Sequence, residues 1–489
     1  MALVREILVN ITGGEQRVAT LLNGELQALE IERRSEAFRK GTICLARVVR
    51  IVPGMQAAFM DIGRQKNGFL HVTDVRRNEV ALAADQAQLP IQKLLHDGQT
   101  FPVQVLQDER GDKGARLSMD LCIADSLLVL KPQSCGVSIS NKISDASEQS
   151  RLFNLLSAAL ALETDSLGLI ARTRAAQAND TQLKQQLALV LSQWRQIELQ
   201  CSTVQVGTPL WQEPDLLQRS LRRAADGVST LVRIDSQTVY MDTQQWLSNQ
   251  AGMNNVTVDM YASPTAVFDL YDTEQKLNGL LLREVPLPSG ASMVIDNTEA
   301  LVVVDVNSAA NLGRANPDVL LQSNLEAAEE LVRQLRLRNI GGIIVVDFIN
   351  LDSTDARQTL LSTLNQHLKS DGSCSTAQRI SPLGLVEFSR RHQGPPLQRQ
   401  LCQPCTACGS PNGTPQRNSL TILFDIMRAV VKVSIDGNNP ATTLHAHPVI
   451  IEMLKTSESK SLEEIENLIG QSLSLEADAA LARDDYRIK

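Results

Sequence analysis

The runs Ala300-Leu-Val-Val-Val-Asp305-Val-Asn307 and Gly341-Gly-Ile-Ile-Val-Val-Asp347-Phe-Ile each carry a β-branched stretch into an aspartate. Continuous apolar runs of this length predict strands buried on both faces of a parallel sheet. Between them, Leu321, Leu325, Ala328, Val332 and Leu335 recur at helical spacing, Pro317 suits a first turn, and Gly341-Gly342 close the segment. Strand, helix and strand then make a right-handed crossover, whose strand carboxyl ends open on one edge of the sheet. Asp305 and Asp347 meet at that edge. Asn307 follows Asp305 by two residues, so the strand period puts its amide on the same face. Two carboxylates and an amide are an all-oxygen set suited to magnesium. The alternative on spacing alone is a pair of solvated strand-end acids.

Working outward, 489 residues exceed what one core supports, and about three or four units are expected from ordinary domain size. The composition, 43% hydrophobic and 21% charged, is that of a globular protein, and with only 3% aromatic residues each exposed ring becomes informative. No apolar run is long enough to span a membrane, and Met1-Ala-Leu-Val-Arg5-Glu6 lacks the pattern of a secretory leader, so a cytoplasmic protein is expected. Eight cysteines, mostly scattered, argue against a secreted disulfide framework. A net charge of −8 gives no overall attraction for nucleic acid, so a polyanion needs a local basic patch or a metal.

The first strands, around Gly13-Gly14, read as a meander. Thr42 to Val52, Gln56 to Ile62, Gly68 to Val72, Thr100 to Gln107 and Gly114 to Met119 read as five short strands, which suit an OB-fold barrel. Glu148 to Gln200 shows leucines at helical spacing around a strand-like Gly168-Leu-Ile-Ala-Arg172-Thr173. Thr230 to Tyr240 and Asn255 to Tyr261 read as strands, with a short helix over Thr243 to Gln250, and Thr273 to about Glu284 looks helical. In the tail, Pro448-Val-Ile-Ile-Glu452 is strand-like between helical patterns.

Three cysteines fall within Cys402-Gln-Pro-Cys405-Thr-Ala-Cys408-Gly409. Thiolates at this spacing can share a tetrahedral zinc, yet a structural site wants four ligands and only His392 lies near. A two-fold axis joining two Cys405/Cys408 pairs would complete the set and staple a dimer; free thiols are the alternative. In the barrel, Phe59 and Phe69 stand ten residues apart, where they serve either the core or a stacking platform for unpaired bases. Lys113, Arg64 and Lys66 could meet phosphates.

These pieces, in this order, resemble the ribonuclease E/G family of bacterial endoribonucleases over nearly the whole chain. The resemblance is carried by Pro53-Gly-Met-Gln-Ala-Ala-Phe59, Ile295-Asp-Asn-Thr-Glu299-Ala-Leu, Val304-Asp305-Val-Asn307-Ser308 and the segment from Arg333 to Ile349. It implies a multidomain α/β and β protein. A ribonuclease-H-like domain (1–38 and 216–280) carries an inserted OB-fold RNA-binding domain (39–121) and a 5′-sensor region (122–215). A deoxyribonuclease-I-like catalytic domain (281–400), a zinc link (401–416) and a small α/β terminal domain (417–489) follow. By the same resemblance Asp305 and Asp347 hold catalytic magnesium, Asn307 supports them, and Cys405 and Cys408 share zinc with a second protomer. Phe59, Phe69 and Lys113 contact RNA, and Arg172 and Thr173, beside Val129, sense a 5′-monophosphate.

The expected activity is magnesium-dependent cleavage of single-stranded, A/U-rich RNA, leaving 5′-phosphate and 3′-hydroxyl ends, in rRNA and tRNA processing and mRNA decay. The expected assembly is a homodimer or a tetramer, with no multi-enzyme scaffold. Two departures from the family bear on the sensor: Asp125 stands where relatives carry glycine or another uncharged residue, and Arg174 stands where small residues are usual. A third, Lys369-Ser-Asp-Gly-Ser-Cys374, lacks the basic residues relatives carry ahead of Gly384-Leu-Val-Glu387. These leave a catalytically weakened RNA-binding homologue as the alternative reading, and a small phosphate ester as an alternative substrate.

Overall fold

The computed structural model describes residues 4–33, 41–75, 89–107, 109, 114–125, 127–161, 163, 167–212, 214–224, 228–248, 250, 253–298, 300–308, 317–371, 373–404, 416–436 and 443–489. The chain divides into two compact units, Ser35–Arg222 and the combination of Met1–Arg34 with Arg223–Lys489. In both, helices pack on separate small sheets, and the described residues form several hydrophobic cores. No described helix is long and apolar enough to cross a membrane.

The chain begins with the expected meander, β1 (Val4–Thr12), β2 (Glu15–Leu22) and β3 (Glu25–Arg33), in antiparallel register. The Ser35–Arg222 unit follows. Here β4 (Ile43–Val52), β5 (Ala57–Asp61), β6 (Gly68–His71), β7 (Thr100–Gln107) and β8 (Arg116–Ser118) run in the order β4-β5-β6-β8-β7, and β7 pairs back onto β4. That closure makes a five-stranded OB-like barrel, which removes free sheet edges. Alternation along each strand sends Val48, Ala58, Met60, Leu70, Val103 and Leu117 inward.

Beyond the barrel, β9 (Ile123–Ala124), β10 (Leu128–Lys131), β11 (Gly136–Ile139) and β12 (Gly168–Ala171) form a second small sheet, ordered β11-β12-β10-β9. Helices α1 (Ala146–Leu160) and α2 (Asp180–Cys201) cover it through Leu152, Leu156, Leu183 and Val190. Asp145 caps α1 and Asn179 caps α2 with a capping box, as their sequence positions favour. Then β13 (Pro209–Trp211) adds to the edge of β4, and α3 (Leu216–Ala224) leads out of the unit.

In the other unit β14 (Ser229–Ile234) pairs parallel with β1, and β15 (Val256–Met260) parallel with β14, giving the order β15-β14-β1-β2-β3. The strand expected over Thr230 to Tyr240 stops at Ile234. Helix α4 (Gln237–Ser248) begins there instead, with Tyr240 N–H donating to the Ser236 carbonyl; a β-branched pair had masked its start. A short α5 (Thr273–Gly279) ends at its glycine, five residues earlier than expected.

The sheet that carries the two aspartates follows, ordered β16-β17-β18-β19-β20 from β16 (Glu284–Pro286), β17 (Ser292–Asn297), β18 (Leu301–Asn307), β19 (Gly342–Asp347) and β20 (Leu385–Arg390). Its crossover helix α6 (Pro317–Leu337) starts at the proline, and α7 (Thr354–Asp371) follows β19. The expectation of strands buried on both faces is corrected. Only β18 and β19 run parallel, their outer neighbours are antiparallel, and α6 and α7 pack on one face alone. Val302, Val304, Val306, Ile344 and Val346 face the helices, whereas Ile343 is 56% exposed on the opposite face.

After α8 (Leu397–Leu401), β21 (Cys402–Gln403) pairs with β22 (Gln416–Arg417). The terminal segment has α9 (Ser419–Asp436), β23 (Thr443–Ala446), α10 (Pro448–Lys455), α11 (Ser459–Ile469), β24 (Ser474–Ala477) and β25 (Tyr486–Ile488). The run Pro448 to Glu452, expected as a strand, is helix α10. Pro448 sits in its first turn, His447 accepts from the Val449 N–H, and Ile450, Ile451 and Leu454 bury one face at helical spacing.

A buried charge network ties α9 to the first meander. Glu15, 2% exposed, takes Arg33 at 2.7 Å and Arg428 at 2.6 Å, and Arg33 also donates to Thr421. The Arg17 guanidinium lies 4.4 Å from the Phe268 ring and pairs with Glu274. Burial alone would raise the Glu15 carboxyl, but Arg428, Arg33 and Arg17 together hold it below its ordinary 4.5. A carboxyl lowered on folding stabilises above its unfolded value and loses that contribution as pH falls through the folded one. Glu15→Gln is therefore expected to cost about 3 kcal/mol near pH 7, because it removes the carboxylate from buried Arg33 and from half-buried Arg428. Thermal unfolding of both proteins across pH checks this: the gap should narrow below pH 4.5.

Candidate active site

Parallel pairing of β18 with β19 sets Leu301 opposite Ile343, Val303 opposite Val345 and Asp305 opposite Asp347. The two aspartates are thus register partners on adjacent strands, which lie about 4.8 Å apart. Both point away from α6 and α7, and both are exposed. Asn307 stands on the same open face and donates from Nδ2 to Asp305 Oδ2 at 3.0 Å. Its amide therefore orients the Asp305 carboxylate. Oxygen donors of this kind on a water-accessible face fit a hard cation that keeps several waters. The fit is with two carboxylates, since among the described residues no group of three or more His, Cys, Asp and Glu side chains could hold a metal ion.

The support beneath the pair was not visible in the sequence. Asn324, fully buried on α6, donates to the Ile349 carbonyl at 2.7 Å and accepts from the Ile349 N–H at 3.0 Å. That two-ended amide contact fixes the chain two residues beyond Asp347. At the other end of β19, Arg390 donates to the Ile340 carbonyl at 2.8 Å and pairs with buried Asp371 at 2.9 Å. Asp371 belongs to the segment in which basic residues are missing, and it also accepts from Cys374 Sγ at 3.3 Å. Gly342 takes φ +109°, and a Cβ on Gly341 would come within 2.8 Å of His392 Nδ1, so the paired glycines are demanded where β19 begins. His392 thus lies against β19.

On the barrel, Phe59 and Phe69 are direct cross-strand partners on the outer surface, and neither joins the barrel core. Their ring centroids are 6.1 Å apart at 68°, an edge-to-face pair, and His71 lies 6.4 Å beyond Phe69 at 26°. A register shift between Val48 and Arg50 sets Arg50 opposite Phe59, while β8 sets Arg116 opposite Phe69. The outer surface therefore carries the row Arg50, Phe59, Phe69, Arg116 across four strands. Neither arginine was singled out from sequence, because a bulge and a parallel closure cannot be read from spacing. Arg116 also pairs with Asp74 at 2.8 Å. Lys113 lies outside the described residues.

In the small sheet, Val129 is half-buried and pairs with Ile170. Arg172 and Thr173 follow β12, both exposed. Arg172 Nη1 donates to the Asp125 carbonyl at 2.7 Å, and the Thr173 hydroxyl lies 3.1 Å from that of Ser140. A guanidinium beside a hydroxyl on an open surface suits a phosphate. Cys405 and Cys408 lie outside the described residues; the pairing of Gln403 with Gln416 brings the two ends of their segment side by side. Burial pushes the Cys402 thiol up.

Comparison with known proteins places these features in context. The ribonuclease E/G family profile matches residues 122–393. Ribonuclease G of Salmonella typhimurium is 33% identical over 488 residues, covering 99% of this chain and 99% of that one. Ribonuclease G of Haemophilus influenzae is 30% identical over 491 residues with the same coverage. Ribonuclease E of Nostoc sp. is 32% identical over 403 residues, 81% of this chain and 57% of that one.

Proposed function

The chain belongs to the ribonuclease E/G family, and we propose that it is a magnesium-dependent endoribonuclease acting on single-stranded, A/U-rich RNA. Its products carry 5′-phosphate and 3′-hydroxyl ends, its work is rRNA and tRNA processing and mRNA decay in the cytoplasm, and it prefers 5′-monophosphorylated substrates. The observation that carries this reading is the in-register pair Asp305 and Asp347 on an open sheet face, with Asn307 bonded to Asp305. In this reading the β15-β14-β1-β2-β3 sheet is the ribonuclease-H-like domain and the β16 to β20 sheet the deoxyribonuclease-I-like catalytic domain. Cys405 and Cys408 share a structural zinc between two protomers, as the family resemblance implies, where two such pairs would complete a tetrahedral set.

Asp305 and Asp347 are the residues that would hold the magnesium. When bound, the ion polarises the phosphodiester and makes water a stronger acid. Asn307 keeps the Asp305 carboxylate in one rotamer, and the Asn324 and Arg390 contacts anchor the chain at the two ends of β19. The open face admits a flexible single strand. On the barrel, Phe59 and Phe69 stack on bases, and Arg50, Arg116 and Lys113 meet the backbone. Arg172 and Thr173 receive the 5′-phosphate.

Cleavage of a 5′-monophosphorylated A/U-rich oligonucleotide with magnesium tests the assignment. Asp305→Asn and Asp347→Asn are each expected to lower the rate on the order of 100-fold or more. Asn307→Ala should cost roughly 10- to 100-fold, as the loss of an orienting partner does. Undiminished cleavage in both aspartate variants overturns the assignment. For the barrel, Phe69→Ala should weaken single-strand binding by about 1–3 kcal/mol, read by fluorescence anisotropy without magnesium, and leave cleavage at saturating RNA nearly unchanged.

A further inference from the structure

A carboxylate beside a phosphate site repels its ligand, and the structure brings Asp125 next to Arg172 of the Arg172 and Thr173 pair. The structure shows how the Ser35–Arg222 unit deals with that charge. Asp125 directly follows β9, and its side chain is almost fully buried. Its N–H donates to the Leu128 carbonyl at 2.8 Å, which closes the turn into β10. Its carbonyl accepts from Arg172 Nη1 at 2.7 Å. Its carboxylate faces inward to Arg222 on α3, Nη1 to Oδ1 2.8 Å. The carbonyl of the same Arg222 accepts from Arg174 Nη1 at 2.5 Å. Both residues that depart from the family pattern, Asp125 and Arg174, therefore end on one residue of α3. The Asp125 carboxylate is paired with the Arg222 guanidinium, and its main-chain carbonyl holds the Arg172 guanidinium that faces solvent.

We infer that Arg222 is a positioning residue for recognition of a terminal monophosphate. By pairing with the buried Asp125 carboxylate it cancels the repulsive charge and leaves Asp125 as the strut whose carbonyl aims Arg172. The inference rests on the reading of Arg172 and Thr173 as the 5′-phosphate sensor. Removing Arg222 takes a countercharge from the buried carboxylate beside the phosphate site and loosens the turn that carries the Arg172 acceptor. Removing the Asp125 charge as well takes away the repulsion, so the two substitutions should offset each other.

The test compares cleavage of one oligonucleotide carrying either a 5′-monophosphate or a 5′-hydroxyl by the full chain. The readout is the ratio of kcat/KM values for the two ends. Wild type should prefer the monophosphate. Arg222→Met should lower the ratio by about tenfold, through KM for the monophosphorylated RNA, with cleavage of the 5′-hydroxyl RNA unchanged. Asp125→Asn with Arg222→Met should restore most of the ratio, and Asp125→Asn alone should keep or raise it. A merely structural role would lower both substrates together and give no rescue. A ratio retained in Arg222→Met, a double variant without recovery, or a loss of preference in Asp125→Asn alone overturns the inference. Should Arg222→Met fail to fold, Asp125→Asn still decides it. A wild-type ratio of one, unchanged by Arg172→Ala, is the distinct result that defeats the sensor reading itself and the inference with it. A wild-type preference lost in Arg172→Ala and kept in Arg222→Met defeats the inference alone.

Discussion

Everything proposed for the catalytic unit depends on the register between β18 and β19. Side chains alternate along a strand, so a slip of one residue would send one carboxylate into the core and an apolar side chain to the open face. Burial of one face holds the register, and β19 is anchored at both ends. Val302, Val304 and Val306 on one strand and Ile344 and Val346 on the other are buried under α6 and α7. Asn324 fixes the chain after Asp347, and Arg390 fixes it before Gly342. The helices thus buy the carboxylates their geometry without covering them.

The same logic of buried charge fixing exposed chemistry recurs elsewhere. In the Ser35–Arg222 unit, Asp125 and Arg222 are sequestered while Arg172 and Thr173 remain at the surface. On the barrel, an apolar interior of Val48, Ala58, Met60 and Leu70 forces Phe59 and Phe69 outward, where their edge-to-face contact holds both rings half-open. In the other unit, Glu15 gathers Arg33 and Arg428 from distant parts of the chain. In the first two cases a desolvated ion pair or a packed face orients groups that remain in water, and in the third it ties distant segments together.

Much of this was legible in the sequence. The β-branched runs ending in Asp305 and Asp347, the stripe on α6 and the five barrel strands all follow from periodicity, because local pattern and tertiary placement agree there. The open face of the sheet was not legible, since a strand flanked by antiparallel neighbours can be as apolar as one buried on both sides. Helix α10 was missed because Val449, Ile450 and Ile451 carry strand propensity, whereas the proline and the buried Leu454 follow helical spacing. Arg50 reached the aromatic row through a bulge, and Arg222 reached Asp125 across a long separation in sequence. Asn324 looked like an ordinary polar residue on a helix. Contacts of this kind are tertiary facts with no local signature.

The most direct test of the central claim is metal binding by the intact chain, independent of any RNA. Manganese, a paramagnetic stand-in for magnesium, can be titrated into the full protein and its retained sites counted by electron paramagnetic resonance. One site present in the wild type, lost in Asp305→Asn and lost in Asp347→Asn, is the expected result, with unchanged unfolding temperature in both variants. Manganese retained at wild-type affinity in both variants would contradict the assignment of the paired aspartates as the metal centre.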